Sequence, residues 1–451
     1  MLVTAHGILV APSQPPTDNL KNPPIACRRG LLVVFTGGRA AAIPVPIDND
    51  AVALGRDPCA PSALKDPCLS RHHLRVRFDG RFMVTDLGSR NGTTVDGVPL
   101  LAGTPREVTR VICAGSTLLV PVQNIAPLVS HGVEVVGRRV AGPTQRATRD
   151  LAEQAARLER TLHLVGESGT GKQTLARAYH AAGPASGGPF LAVRAAALPE
   201  DAVERMLFGS APGLGPGTEG YVRAADGGTL YLDGVAALSP SVQARLLHVL
   251  EHGEVFPLGA TRPEKVDLRI CFVAQRELRD QVDAGHLSES LYFRLAAKRI
   301  VLPALRSRPE EIAHLLEMEV AHVSGLPTHA SLVEACLMRE WPGNVRELLA
   351  EAGNAALAAL AEGAGAVEVR HLHPVAGSAL ESSQRSSPGP SSASPPASSS
   401  QLRVRIVTAL ESCEGNVSAA SRELGVHRNQ LRRWLDRYRI EPRTFGPGGE
   451  E

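Results

Sequence analysis

The sequence predicts a multidomain chain: an all-β sandwich, an α/β nucleotide-type domain with a helical lid, and an all-α unit at the end. Three observations predict this order. Residues 29–125 carry short apolar runs (LLVVF, AVALG, RFMVTDL, STLLVPV) broken by Gly, Asp and Asn, the pattern of strands and turns. Residues 131–373 alternate strand-like runs (TLHLVG, FLAVR, GTLYLD, LRICFVA) with helical stretches, as a parallel sheet covered by helices requires. In residues 401–442, Leu402, Ile406, Ala409 and Leu410 recur at helical spacing, and two further helical stretches follow.

Composition sets outer bounds. At 451 residues the chain is too long for one hydrophobic core. A net charge of +2 excludes a uniformly basic coat for nucleic acid, so such contact must come from a local patch. The seven cysteines are scattered without CxxC spacing, which argues against a zinc site or a disulfide framework. The segment MLVTAHGILVAP lacks a basic n-region, and no apolar run approaches a membrane-spanning length. The expectation is a cytoplasmic protein with no membrane partner.

Residues 1–28 read as a flexible tail, since 11–24 are rich in Pro and Asn and lack periodicity. In the sandwich, residues 29–125, three polar clusters fall at strand ends: Gly55-Arg56, Ser70-Arg71-His72-His73, and the run from Asp86 to Thr93. A phosphate needs a guanidinium fork with hydroxyl or backbone donors converging on it, and Arg56, Ser70 and Arg90 are of that chemistry. Asn91-Gly92 taken alone is also an ordinary hairpin turn. Together the clusters resemble the forkhead-associated (FHA) domain, with its GR, SxxH and NG motifs. That resemblance implies that Arg56 and Ser70 hold the phosphate of a phosphothreonine. Arg71 and Arg90 would assist, Asn91 would hold the peptide backbone, and His73 would be a buried buttress.

In the α/β block, Gly166-Glu167-Ser168-Gly169-Thr170-Gly171-Lys172 joins an apolar strand to a helix. Glycines let backbone N–H groups close around phosphates, and the helix start and Lys172 add positive potential. The strict motif has Ser or Thr after the Lys; here Gln173 stands there. Further on come GGTLYLDGV, LYFRL, LPALRSRPEEI and WPGNVREL. This succession resembles the AAA+ domain of the bacterial enhancer-binding proteins, the sigma-54 activators. The resemblance implies a core at 131–302 and a helical lid at 303–373, with ATP phosphates held by Gly166 to Gln173. It also makes Asp233 the Mg²⁺ ligand, Arg346 a sensor from the lid, and Arg294 an arginine finger toward a neighbouring subunit.

Other positions depart from that pattern. Where the family has a Glu after the strand Asp to polarise water, this chain has Gly234, and glycine cannot act as a base. The Asn that restrains that Glu corresponds to Arg194, the sensor Asn to Gln275, and the first of two arginine fingers to Ser288. The GAFTGA loop that touches sigma-54 is replaced, after Leu207-Phe208-Gly209, by a shorter Gly/Pro-rich stretch without the Phe. No catalytic residue is assigned with certainty; the expectation is ATP binding with weak or no hydrolysis and no direct contact to sigma-54.

Residues 374–400 read as a Ser/Pro-rich linker and 443–451 as a second tail. Between them, Asn416 is placed to cap the helix VSAASREL, and Gly425 makes the turn into VHRNQLRRWLDRYR. Residues 401–440 hold eight arginines against four acidic residues, the local basic patch that the near-neutral chain requires. The segment resembles the Fis-type helix-turn-helix. By that match His427, Arg428, Asn429, Gln430 and Arg432 enter the major groove, while Arg433 and Arg437 hold phosphates.

The expected whole is a transcription regulator that reads a phosphothreonine protein of a Ser/Thr kinase pathway, binds ATP and Mg²⁺, and binds double-stranded promoter or enhancer DNA. It would work as a homo-oligomer, a dimer or an AAA+ ring, with RNA polymerase as a further partner. Two alternatives stand beside it: an active ATPase that remodels sigma-54 polymerase, and an FHA-based adaptor with incidental DNA contact.

Overall fold

A strand with one face in water alternates apolar and polar residues, and the run from Leu31 to Phe35 does not alternate. The computed structural model describes residues 8–9, 28–47, 51–57, 64–212, 217–274, 277–295 and 298–379. In the C-terminal part it describes 406–410, 412–413, 416–423, 435 and 440. These fall in two units, Met1–Leu380 and Glu381–Glu451.

A two-residue strand, β1 (Ile8–Leu9), comes first and pairs in parallel with a later strand, so the expected tail at 1–28 contains a paired segment. The sandwich follows: β2 (Gly30–Thr36), β3 (Arg39–Pro46), β4 (Ala51–Leu54), β5 (Leu74–Phe78), β6 (Phe82–Asp86), β7 (Thr93–Val95), β8 (Val98–Pro99), β9 (Arg106–Glu107), β10 (Ile112–Ala114) and β11 (Thr117–Val122). One antiparallel sheet runs β3-β2-β11-β10-β7-β8 and the other β4-β5-β6-β9.

The α/β core contributes α1 (Pro143–Leu158), β12 (Thr161–Val165), α2 (Lys172–Ala182), β13 (Phe190–Arg194), β14 (Thr229–Asp233), α3 (Pro240–His252), β15 (Arg269–Ala274), α4 (Glu289–Leu295) and β16 (Arg299–Val301). Its sheet is parallel throughout, in the order β1-β16-β12-β15-β14-β13. The central strands β12, β14 and β15 are buried on both faces, which explains runs such as LRICFVA. The lid consists of α5 (Pro309–Val323), α6 (Ala330–Leu337) and α7 (Asn344–Ala361).

The lid extends beyond residue 373. Gly377 accepts hydrogen bonds from the amides of Glu340 and Trp341, both 3.0 Å, and donates to Glu347 Oε1. A side chain on Gly377 would meet the Trp341 ring at 2.7 Å. Residues 374–379, expected as the start of the linker, are therefore part of the lid; the rest of 374–400 lies outside the described residues, as does 443–451.

The doubled burial of β2 has a specific cause. Leu31 and Val33 face the core between the two sheets, with Val76, Val84, Ile112 and Leu119. Leu32 and Val34 face the opposite way and share a core with Ile312, Leu315, Leu316, Val333 and Leu337 of the lid. A register shift between Val33 and Phe35 turns Phe35 to the lid side as well, as a bulge does. The sandwich is thus packed on the lid, a contact that none of the sequence motifs predicts.

At the start of α5, Glu310 and Glu311 are buried. Glu311 accepts from the Gly142 amide (2.8 Å) and from Arg308 Nη1 (2.7 Å). Burial, and then the neighbouring Glu311, push the Glu310 carboxyl up to about 7 from an ordinary 4.5. A raised carboxyl binds its proton in the folded chain where the unfolded chain has already lost it. Its stabilising effect is therefore complete below pH 4.5 and is lost as pH rises toward 7. Glu310→Gln is expected to raise stability at pH 8 by about 2 kcal/mol and to change it little at pH 4.5, read from thermal melts at the two pH values.

Candidate nucleotide and phosphopeptide sites

In an open parallel sheet, ligands sit beyond the carboxyl ends of the strands. There the residues 166–171 leave β12 and enter α2, whose first residue is Lys172. Gly169 has φ +76°, and a Cβ on it would lie 2.0 Å from the Gly343 carbonyl, so no other residue fits. Lys172 Nζ donates to the carbonyls of Gly166 and Glu167, each at 2.7 Å. Burial pushes its ammonium pKa down, and Asp233 partly opposes this. Thr170 Oγ1 donates to the Glu167 carbonyl at 2.9 Å.

The lid reaches the loop directly. Asn344, fully buried with φ +52°, donates through Nδ2 to Glu167 Oε2 (3.0 Å) and the Ser168 carbonyl (2.9 Å). Its Oδ1 accepts from the Leu305 amide at 2.7 Å. Arg346 Nη1 donates to Ser168 Oγ at 3.2 Å. Arg306 grips both Glu167 oxygens (2.9 and 2.5 Å), and this fork holds the Glu167 carboxyl below its ordinary range.

These groups border a cleft of 1590 Å³ lined by Ser168 to Gln173, Asp233, Gly234, Arg194, Arg308 and Arg346. Gly166 and Glu167 form the base of the loop, and Gln173 is exposed. Asp233 ends β14 and is paired in register with Arg194 at the end of β13. A glycine cradle, a helix start, a buried ammonium and a carboxylate at the strand end together fit a nucleoside triphosphate with a divalent cation. Gly234 has φ +83°, and open space surrounds the position its Cβ would take.

Arg294 lies elsewhere, exposed on α4, and donates to the Leu250 carbonyl at 2.9 Å. Ser288 caps that helix, its Oγ accepting from the Leu291 amide at 3.3 Å, and is too short to reach as an arginine would. Gln275 lies outside the described residues, as do 213–216 of the shortened loop. Its flanks are joined, the Ser210 amide donating to the Thr218 carbonyl at 2.9 Å.

In the sandwich, the three predicted clusters come together at one end. A side chain on Gly55 would lie 2.0 Å from the Arg71 carbonyl, so glycine lets the two loops touch, with the Arg56 amide donating to the Ser70 carbonyl at 3.0 Å. Ser70 Oγ accepts from the Arg90 amide at 3.0 Å, and Asn91 Nδ2 donates to the Cys68 carbonyl at 2.7 Å. His73 is fully buried and ties the Ser70 amide (3.0 Å) to the Gly92 carbonyl (3.1 Å), locking two loops against each other. Arg56, Arg71, Arg90 and Asn91 are exposed around this frame. Burial pushes the Asp86 carboxyl up, but hydrogen bonds from Thr93, Ser89 and Gly88 outweigh it and hold it below the ordinary value. That carboxylate thereby shapes the loop carrying Arg90 and Asn91.

In the C-terminal unit, Ile406, Ala409, Leu410, Ala420, Leu435 and Ile440 form a small core. Asn416 caps the helix Val417–Glu423, its Oδ1 accepting from the Ala419 amide at 3.2 Å. His427, Arg428, Asn429, Gln430, Arg432, Arg433 and Arg437 lie outside the described residues. Among the described residues no helix is long and apolar enough to cross a membrane, and no cluster of His, Cys, Asp or Glu is arranged to hold a metal.

Comparison with known proteins agrees with this layout. Residues 52–110 match the FHA domain, residues 140–301 the sigma-54 interaction domain, and residues 403–438 the bacterial regulatory proteins of the Fis family. The acetoin catabolism regulatory protein of Cupriavidus necator is 37% identical over 317 residues, covering 66% of this chain and 47% of that protein. The hydrogenase transcriptional regulatory protein HoxA of Bradyrhizobium diazoefficiens is 35% identical over 317 residues, covering 66% of this chain and 64% of that protein. The Nif-specific regulatory protein of Klebsiella pneumoniae is 39% identical over 232 residues, covering 49% and 44%. The chain thus spans between about half and just under two thirds of the length of these relatives. With a parallel sheet that carries the glycine-rich loop, a helical lid that reaches that loop, and an FHA domain, a sigma-54 interaction domain and a Fis-family unit in this order, the chain is similar to the sigma-54 activators among the bacterial enhancer-binding proteins.

Proposed function

We propose that the chain is a cytoplasmic bacterial transcription regulator that binds ATP without hydrolysing it efficiently. In this reading Gly166 to Gln173 and Arg346 hold the nucleotide, and Asp233 holds Mg²⁺. The FHA domain takes up a phosphothreonine segment through Arg56, Ser70, Arg71, Arg90 and Asn91. The Fis-type unit binds promoter or enhancer DNA through His427, Arg428, Asn429, Gln430, Arg432, Arg433 and Arg437, and the chain acts as a homo-oligomer.

One observation carries the nucleotide reading: the phosphate loop is fully braced, yet the position after Asp233 is a glycine in the left-handed region. The pocket retains what grips phosphate and lacks the carboxylate that activates water. Loss of such a base costs about 10²–10⁴-fold in rate. The shortened, bridged segment at 210–218 supports action on transcription without a GAFTGA-type contact to sigma-54.

Calorimetry with MgATP and a phosphate-release assay on the full chain test this. The expected result is saturable binding with turnover about 100-fold or more below that of an activator with an intact base. Brisk release abolished by Lys172→Ala would overturn it. Gly234→Glu is expected to leave turnover within about threefold of the parent, because φ +83° disfavours the new side chain while Arg194 and Ser288 remain.

A further inference from the structure

The sandwich does more than rest on the lid. Asp96, at the end of β7, accepts from the amides of Thr109 (2.9 Å), Arg110 (2.8 Å) and Val111 (2.9 Å), and this fixes the turn that carries Arg110. Arg110 Nη1 donates to the Met338 carbonyl at 2.7 Å, and Nη2 pairs with Glu340 Oε1. The other oxygen of Glu340 lies 3.6 Å from Arg306 Nε. Arg306 in turn holds Glu167 with both terminal nitrogens. Four alternating charges therefore run without a break from the FHA domain to the phosphate loop.

We propose that Arg110 of the FHA domain is a positioning residue for the nucleotide pocket, acting through Glu340 and Arg306 on Glu167. This rests on the nucleotide reading above. The chemistry is geometric: Glu340 is shared between two guanidinium groups, so Arg110 decides where Glu340 sits and hence how Arg306 aligns its fork on Glu167. Glu167 then presents its backbone carbonyl to Lys172 and one carboxylate oxygen to Asn344. The strand that leads into Asp96 also begins at the phosphopeptide loop, and Thr94 within it donates to Glu334 of α6 at 2.9 Å. The peptide-reading end and the charge path therefore share one short strand.

A second ion pair across the same interface, Arg39 with Glu317 at 3.2 Å, lies at β3 and α5, and among the described residues neither side chain pairs with a residue of the loop. It serves as the control, since both pairs are solvent-exposed and each alone contributes little to docking.

The test measures MgATP affinity by calorimetry and amide hydrogen exchange of residues 166–172, on the full chain. Arg110→Ala is expected to weaken affinity about two- to fivefold and to speed exchange in the loop, while Arg39→Ala does neither. In a Glu340→Gln background the effect of Arg110→Ala should vanish, and Arg110→Lys should recover part of the affinity. Unchanged exchange in β2 and β11 shows that each variant is folded. If Arg110→Ala behaves as Arg39→Ala, or adds fully to Glu340→Gln, the inference falls while the nucleotide reading stands. If the parent chain binds no MgATP, the nucleotide reading falls and takes the affinity role of Arg110 with it.

Discussion

Lys172→Ala is expected to weaken MgATP binding by about 100-fold, equivalent to about 2.7 kcal/mol. Lys172 is buried, 8% exposed, and the two hydrogen bonds of its ammonium reach the carbonyls at the foot of the loop. Removing it takes away the charge that faces the phosphates and the clamp that holds Gly166 and Glu167 in place. A charge-assisted contact is worth about 1.5–3 kcal/mol, and the expected loss lies within that range. Titration calorimetry on parent and variant decides the matter; equal affinities would remove the nucleotide pocket from the account. Because Asn344 and Arg306 brace the loop from the lid, the variant's melting temperature should fall by only a few degrees.

Arg56→Ala is expected to lower affinity for phosphothreonine peptides by about 10- to 100-fold with no change in melting temperature. The side chain is exposed, so its loss affects the ligand rather than the fold. Ser70→Ala should do both, because Ser70 Oγ also receives the Arg90 amide and so holds the opposite loop. Fluorescence polarisation with a phosphothreonine peptide library and its unphosphorylated copy measures both effects. Binding that ignores the phosphate, or survives Arg56→Ala unchanged, would make the sandwich a docking module only. The Arg56 and Lys172 variants probe two ends of one unit, and the path through Asp96, Arg110 and Glu340 predicts that their effects are not independent.

Much of this was legible in the order of residues because it depends on local rules. A glycine-rich turn after an apolar strand, Asn416 before an amphipathic helix, and Gly-Arg, Ser-x-x-His and Asn-Gly at strand ends each report geometry within a few residues. The resemblance pointed to Gly166 to Lys172, Asp233 and Arg346, and the fold places Ser168 to Lys172, Asp233 and Arg346 around one cleft. The change to Gly234 was equally visible, since losing a carboxylate needs no tertiary context.

Other features are set by contacts between residues far apart in the chain. That Glu167 is gripped by Arg306, that Asn344 reaches Ser168, and that Gly377 turns back onto Trp341 all join segments whose spacing carries no periodic signal. The docking of the sandwich on the lid did leave one trace, the unbroken apolar run from Leu31 to Phe35, which no half-wet strand would carry. The sequence thus determined which elements form and which chemistry each one bears, because hydrophobic period and turn geometry act over short range. Only the tertiary structure decided which element covers the second face of β2 and which carboxylate Arg306 finds, because burial and charge pairing are settled by whatever surface the folded chain brings near.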